Sequence, residues 1–473
     1  MTSGVPRLQR GTSGRTDLVI GACACVVAAA LVLTVGIEAL GVLAAFLVLA
    51  AIAWRWPQFG AGVLLLMSVD FFGLVPVAAL PSLKIAGGIT VNLLDATLAT
   101  LLALAVVRLA SRREVPEFTW PTVLIVCASV LCVIWGMLFA TIGLGVALGA
   151  VRYMFYYSSY FVLVAAIDSE ESLRRWIRFL FVLVLVTVSL QVYEAVMGGL
   201  SPIVSQAGVV ARPLEVAVGG ESHVAYVWNR APFFAFIGTF LALGAFVVKA
   251  RGRRWIGAVA VAGTLGFALA LVRQWYVYYA IGAVSLLVIA RRVRNRGVVA
   301  LALVALVVVV GVSAVPLFTN SFGRSLGRDV VLRAATLTSG FENDNSYVAR
   351  VQANSMLWGA FLRSPVFGLA GIVQPSGDVG ISNTLAQFGL AGLVSVVALC
   401  FFVFRSVRRS ASVLVGDLRG YALGVYALLP AVMAGYFTGV DWFTSRRGVF
   451  AIVLLMALAD RLAVFGRRAI DAT

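Results

Sequence analysis

The stretch RRVRNRGVVALALVALVVVVGVSAVPLFTNSFGRSLGRDVVLR, residues 291–333, holds three kinds of sequence in a row. Four arginines come first, then the uncharged run Val298–Val315, and from Pro316 onward charge returns. As a helix the run is about 27 Å long, close to the thickness of the hydrocarbon core of a bilayer. Basic residues gather on the cytoplasmic side of such a span, so the chain beyond Pro316 belongs on the opposite face. Between it and the next apolar run, Leu385–Phe404, lie Arg324, Arg328, Arg333, Arg350 and Arg363, with Asp329, Glu342, Asp344 and Asp378. Charge of that density does not face lipid, so 316–384 reads as a loop or small cap at the outer surface.

Working outward, the same apolar pattern repeats along most of the chain. The 473 residues are 62% hydrophobic and 12% charged, with a mean hydropathy of +1.01. Runs of spanning length read as Leu18–Val35, Ala39–Ala53, Phe59–Val77, Leu93–Val107, Pro121–Ala140, Gly145–Ile167 and Trp176–Val196. After them come Ala231–Val248, Trp255–Leu271, Gln274–Ala290, Val298–Val315, Leu385–Phe404, Tyr421–Thr438 and Gly448–Leu462. The expected fold is all-α: a polytopic integral membrane helix bundle of about fourteen spans with an outward helical cap. Its organisation is membrane helices over 1–315 with a short outer loop at 197–229, the outer loop 316–384, and C-terminal membrane helices over 385–473. The apolar run that follows Arg7, Arg10 and Arg15 is long for a cleaved signal and reads as a first span.

A net charge of +17 invites a nucleic-acid partner, and its distribution rejects one. With the N-terminus in the cytoplasm, the alternation of spans places 25 of the 37 basic residues in inner clusters, such as Arg108/Arg112/Arg113 and Arg405/Arg408/Arg409. An even number of spans then puts both termini inside. The five cysteines all sit in apolar segments without metal-ligand spacing, and His223 is the sole histidine, so no metal site is expected.

Twelve basic residues fall on the outer side, where topology works against them: Lys84, Arg152, Arg212, Arg230, Arg273, Arg324, Arg328, Arg333, Arg350, Arg363, Arg446 and Arg447. For each, the plain reading is a solvated loop charge. Arg273 tips a very tight outer hairpin and is followed by Trp275, Tyr276, Tyr278 and Tyr279. A guanidinium there presents a planar fork of donors suited to phosphate oxygens, although an interfacial aromatic belt with one snorkelling arginine gives the same pattern. Arg350 lies on a helix in which Val348, Val351, Met356, Leu357 and Phe361 recur at helical spacing, and Pro365 ends it. Arg152 falls within the outer half of a span, where a structural ion pair with Asp70, Asp95 or Glu194 competes with substrate contact. Arg230 opens a helix just before Pro232, and Arg446-Arg447 fit either phosphate or lipid headgroups.

Three motifs then resemble a known family: the arginine-bearing hairpin; Arg350-x7-Trp358 followed by Ser364-Pro365-x-x-Gly368-Leu369-x-Gly371; and Phe388-Gly389-Leu390-x-Gly392. Over about Ala231–Val403 the chain resembles the O-antigen ligase/polymerase superfamily, bacterial glycosyltransferases of GT-C-like architecture acting on undecaprenyl-diphosphate-linked glycans. The resemblance implies that Arg273 and Arg350 engage the diphosphate, at the outer face of the cytoplasmic membrane and without a cofactor. It implies a lipid-linked oligosaccharide donor, a glycan acceptor and, for a polymerase, a chain-length regulator as partners. The family's ligases carry a His-Asn pair about ten residues before the Gly-x-x-Gly; here Asp378-Val379 stand there, which favours a polymerase.

A departing diphosphate accumulates negative charge, which preorganised arginines stabilise. The acceptor hydroxyl must lose a proton, and Asp378 is the candidate base, with Glu221 and Asp344 behind it. Arg152, Arg230, Tyr276, Glu221 and Trp358 complete the candidate substrate contacts. Competing readings are a ligase for a lipid or protein acceptor, a flippase for the same lipid, and a peptidoglycan polymerase of another family. A flippase requires two related halves, and none is evident here.

Overall fold

A computed structural model of the chain describes residues 47–71, 82–85, 89–139, 143–196, 215–218, 221–224, 231–248, 250, 252–269, 273–290, 345–369 and 379–471. The helices, in order, are α1 (Pro57–Ser68), α2 (Leu93–Ser111), α3 (Thr119–Phe139), α4 (Leu144–Phe155), α5 (Ser159–Ala166), α6 (Glu170–Val196) and α7 (Pro232–Val247). They continue as α8 (Arg253–Leu269), α9 (Arg273–Ala290), α10 (Asn345–Arg363), α11 (Gly380–Val413), α12 (Gly416–Thr438) and α13 (Arg446–Asp471). Residues 47–55 are also helical. Among the described residues six helices, α2, α3, α6, α11, α12 and α13, are long and apolar enough to cross a membrane. The protein is therefore a helical, multi-pass membrane protein. The first run, Leu18–Val35, and Val298–Val315 lie outside the described residues.

Burial grades from centre to edge. Of the apolar window of α13, 94% is buried, against 33% for α2 and for α3, whose remaining faces are free to meet lipid. Beside α13 the closest helix pair is α7 with α12. A Cβ on Gly244 would sit 2.2 Å from the Gly420 carbonyl oxygen, and one on Gly424 would sit 2.4 Å from that of Phe240. The two backbones touch directly, the arrangement by which small residues join helices without a hydrophobic driving force between them.

Several expected spans differ from those observed. The run Phe59–Val77 was expected to be one helix, but α1 ends at Ser68, and Asp70 (φ 53°) and Phe71 (φ 48°) turn left-handed. The reason lies far along the chain: the buried Asp70 carboxylate pairs with Arg446 and, at 3.0 Å, with Arg447. The run Gly145–Ile167 divides into α4, a 3-10 turn at Tyr156–Ser158, and α5. Local apolar runs did not reveal two antiparallel hairpins, β1 (Ser82–Ile85) with β2 (Ile89–Asn92) and β3 (Glu215–Val218) with β4 (Glu221–Val224). Strand β2 passes directly into α2, where Asn92 and Asp95 cap one another's backbone N–H groups at 2.9 and 3.1 Å.

At the end predicted to be cytoplasmic, α13 is clamped to the α2–α3 connection. Fully buried Asp460 accepts from the Tyr160 hydroxyl and from the Glu117 backbone N–H (2.6 Å), while Arg461 pairs with Glu114. Arg461 Nε also lies 3.7 Å from Asp460 Oδ1, and the outermost pair is Arg467 with Glu117 at 3.1 Å.

Candidate functional site

Helix α11 has 34 residues and would be about 51 Å long if straight, well beyond the hydrocarbon core. It breaks at Gly389 (φ 59°, ψ −156°). The turn after α10 occupies the break: Leu390 N–H donates to Pro365 O (2.8 Å), Ala391 N–H to Val366 O (3.1 Å), and Leu369 N–H to Ala386 O (2.7 Å). A Cβ on Gly389 would meet the Val366 carbonyl carbon at 2.4 Å, and one on Gly368 (φ 68°) would meet that of Gln387 at 2.3 Å. Ser-Pro-x-x-Gly-Leu and Phe-Gly-Leu are thus two halves of one interlock, with these three backbone hydrogen bonds made across the break. The Trp135 indole N–H adds a bond to Ser364 Oγ (3.1 Å) from α3.

This interlock presents a short half-helix, Gly380–Phe388, to α10. Arg350 and Asn354 stand one turn apart on the same face of α10. Arg350 meets the side chain of Gln274: with the amide oxygen facing the guanidinium, Nη1 and Nη2 lie 2.5 and 3.3 Å from it. Asn354 accepts from Ser382 Oγ on α11. The next residue, Asn383, donates to Asp441 Oδ2 at 3.3 Å. Asp441 Oδ1 accepts from the Thr444 backbone N–H (2.7 Å), and Oδ2 also accepts from the Thr444 hydroxyl. A continuous polar track therefore joins the start of α9, α10, the head of α11 and the α12–α13 loop.

Beneath the track, aromatic rings hold α9 in place. Trp442 is fully buried, with its ring centroid 4.6 Å from Phe233 and 6.0 Å from Trp275. Trp275 also packs on Phe236 (5.3 Å) and Phe267 (5.5 Å). These contacts fix the first turn of α9, and with it the backbone of Arg273, its first residue, beside Gln274.

Asp441 has no ion-pair partner among the described residues; neutral donors hold it. Burial raises its carboxyl pKa above the ordinary value, against the opposing effect of hydrogen bonds from Thr444 and Asn383. Sequence reading passed over this residue because it sits in a short loop with no periodic pattern. The local signal was an acid four residues after Phe437, the last apolar residue of α12, within Asp441-Trp-Phe-Thr-Ser.

The expected site residues divide. Arg350 lies on the track, and Arg273 adjoins it by its backbone, its side chain lying outside the described residues. Half-buried Tyr276 sits on the same turn of α9. Trp358 is exposed at 48%, with its ring centroid 5.2 Å from Phe361. Arg152 is brought instead to Asp95, 3.4 Å from Nε to Oδ2, and Asp95 Oδ1 accepts from the Tyr156 hydroxyl at 2.8 Å. Arg446 and Arg447 are engaged by Asp70. Glu221 begins β4, where only the backbone is described; Arg230, Asp344 and Asp378 lie outside the described residues.

The expected apolar face of α10 is corrected too. Leu357 and Ala360 pack on Ala386, whereas Val351, Met356, Trp358 and Leu362 are exposed, so one flank packs and the other is turned outward. Among the described residues no group of three or more His, Cys, Asp or Glu side chains is placed to hold a metal ion. Compared with known proteins, the chain matches no protein-family model and has no significant match among curated proteins.

Proposed function

We propose that this chain is a polymerase-type glycosyltransferase that uses undecaprenyl-diphosphate-linked glycans at the outer face of a bacterial cytoplasmic membrane. In this reading it belongs with the O-antigen ligase/polymerase superfamily, has about fourteen spans with both termini inside, and carries its cap over 316–384. The observation that supports it most is the meeting of Arg350 with Gln274, which brings the loop arginine to the helix turn that begins with Arg273.

A diphosphate suits two guanidinium groups, whose paired N–H donors grip its oxygens; Arg350 would supply one, and Arg273, whose backbone adjoins it, the other. The acceptor hydroxyl oxygen attacks the anomeric carbon as the bond from that carbon to the diphosphate oxygen breaks. The electron pair leaves with the diphosphate, where the arginines stabilise it, and the hydroxyl proton passes to a carboxylate, for which Asp378 remains the candidate. Asp441 is too deeply buried to reach an acceptor; it holds Asn383 and the half-helix in position.

The test is turnover by the purified chain in lipid nanodiscs, supplied with an undecaprenyl-diphosphate oligosaccharide, with and without EDTA. The expected result is a ladder of lengthened products that EDTA leaves intact, falling at least about 100-fold in Arg273→Ala and Arg350→Ala. Full activity in both variants, or complete loss with EDTA, overturns the reading.

A further inference from the structure

The flank of α10 that faces away from α11 has no part in the chemistry above. From Val351 to Leu362 no residue is charged, although Val351, Gln352, Ser355, Met356, Trp358 and Leu362 are all exposed. By the helical period Val351, Trp358 and Leu362 fall on one edge. Exposed Val366 follows in the turn after the helix. A helix that meets only water carries polar and charged residues on its outward face, and this edge carries none.

The depth of the edge follows from α3. That helix has 21 residues and is about 31 Å long, enough to cross a hydrocarbon core of about 30 Å. Its two ends therefore lie at opposite faces, the first beside Glu117 and the Asp460 clamp, the second at Phe139. Trp135 stands one turn inside the second boundary. Its indole N–H reaches Ser364 Oγ, and its ring centroid lies 5.4 Å from that of Phe367. The foot of α10 is thereby pinned within about 6 Å of the edge of the hydrocarbon.

The same foot joins a lipid-facing surface. Pro365 and Val366 accept from the Leu390 and Ala391 N–H groups, which sets Val366 beside Leu390. Leu390 and Val394 are exposed on α11, one of the helices long and apolar enough to span. Leu362, Val366, Leu390 and Val394 thus form one apolar strip that runs down into the membrane.

We propose that the bilayer leaflet on that face, the outer one in the orientation read from sequence, covers this edge of α10. Leu362 and Val366 lie among the acyl chains, and Trp358 lies at the headgroup boundary that tryptophan favours. Arg363, the one cation at the foot, reaches lipid phosphates on its flexible stem. Continuity with the exposed strip of α11, and the depth set by Trp135, choose lipid over a protein partner. Helix α10 is then mounted between α11 on one side and lipid on the other, with Asn354 on the packed side. Trp358 becomes an anchor in place of a substrate contact. The contact is independent of the chemistry at Arg350.

The experiment uses the whole protein in nanodiscs of phosphatidylcholine and phosphatidylglycerol whose chains carry bromine, a contact quencher of tryptophan, near the headgroup or near the bilayer centre. The share of Trp358 is the difference between wild type and Trp358→Phe. It is expected to lose about half its emission to bromine near the headgroup, as befits a depth of about 5–10 Å, less to bromine at the centre, and little to aqueous iodide. Leu362→Trp and Gln352→Trp, each read as the emission added to the wild type, are expected to divide: bromine quenches the first and iodide the second. A Trp358 share open to iodide and untouched by bromine overturns the proposal. Protection from both quenchers overturns it as well, and assigns the edge to a second copy or another protein.

Discussion

Two buried carboxylates, Asp441 in the loop before α13 and Asp460 past the middle of that helix, are held in opposite ways. Asp460 has a cation beside it, Arg461, which it shares with Glu114 on the far side, and it accepts from the Tyr160 hydroxyl and a backbone N–H. Among the described residues Asp441 is held by neutral donors, Thr444, Asn383 and the Phe443 backbone. Balanced charge makes a clamp: in a low-dielectric setting it is tolerated only when paired, and then it ties helices together. A carboxylate held by amide and hydroxyl groups instead orients those groups, and one of them, Asn383, sits at the head of the half-helix that meets α10. The Asp460 region is scaffold, while the Asp441 region is built to position polar side chains.

Breaking the clamp is expected to have the largest effect on the fold. Arg461→Ala leaves Asp460 and Glu114 without their cation and should cost about 3–5 kcal/mol, read as a fall in thermal stability in detergent, with activity lost only as folded protein is lost. Arg350→Ala should do the reverse. Turnover falls about 100-fold or more while the melting temperature stays near that of the wild type, and Arg350→Lys fails to restore it because one ammonium does not replace a planar fork.

Asp441→Ala should lie between them, at about 1–3 kcal/mol, because it strands the Thr444 and Asn383 donors. With Asp441 intact, its raised carboxyl pKa has a definite sign. Between the ordinary carboxylate value and the raised one, the folded chain keeps a proton that the unfolded chain gives up, so stability declines as pH rises through that window. Asp441→Asn should remove that decline in a series of melts across pH. The smallest effect is expected of Arg447→Ala, under about 1 kcal/mol, since Arg446 still pairs with Asp70.

The same comparison marks what could be read from sequence. Period and length placed α2, α3 and α7 to α9 to within a few residues, because apolar faces and flanking arginines are local signals, whereas α6, α11, α12 and α13 extend five to nine residues beyond their apolar runs. The helix bearing Arg350 was found with its stop at Pro365. The partners of charged residues were not legible: Asp70 and Arg446 are joined across the whole chain, and the left-handed turn that ends α1 follows from that pairing. Nor was the meaning of Gly368 and Gly389, which read as motif letters and prove to be the two places where backbone must meet backbone. Asp441 was missed because a seven-residue loop has no period to betray it.

The most direct measurement is the affinity of the protein for undecaprenyl diphosphate, by native mass spectrometry, in the wild type, Arg350→Ala and Arg461→Lys. A diphosphate site at the outer track predicts at least tenfold weaker binding in Arg350→Ala and unchanged binding in Arg461→Lys, whose clamp lies at the other end of α13. Equal affinity in all three would contradict it.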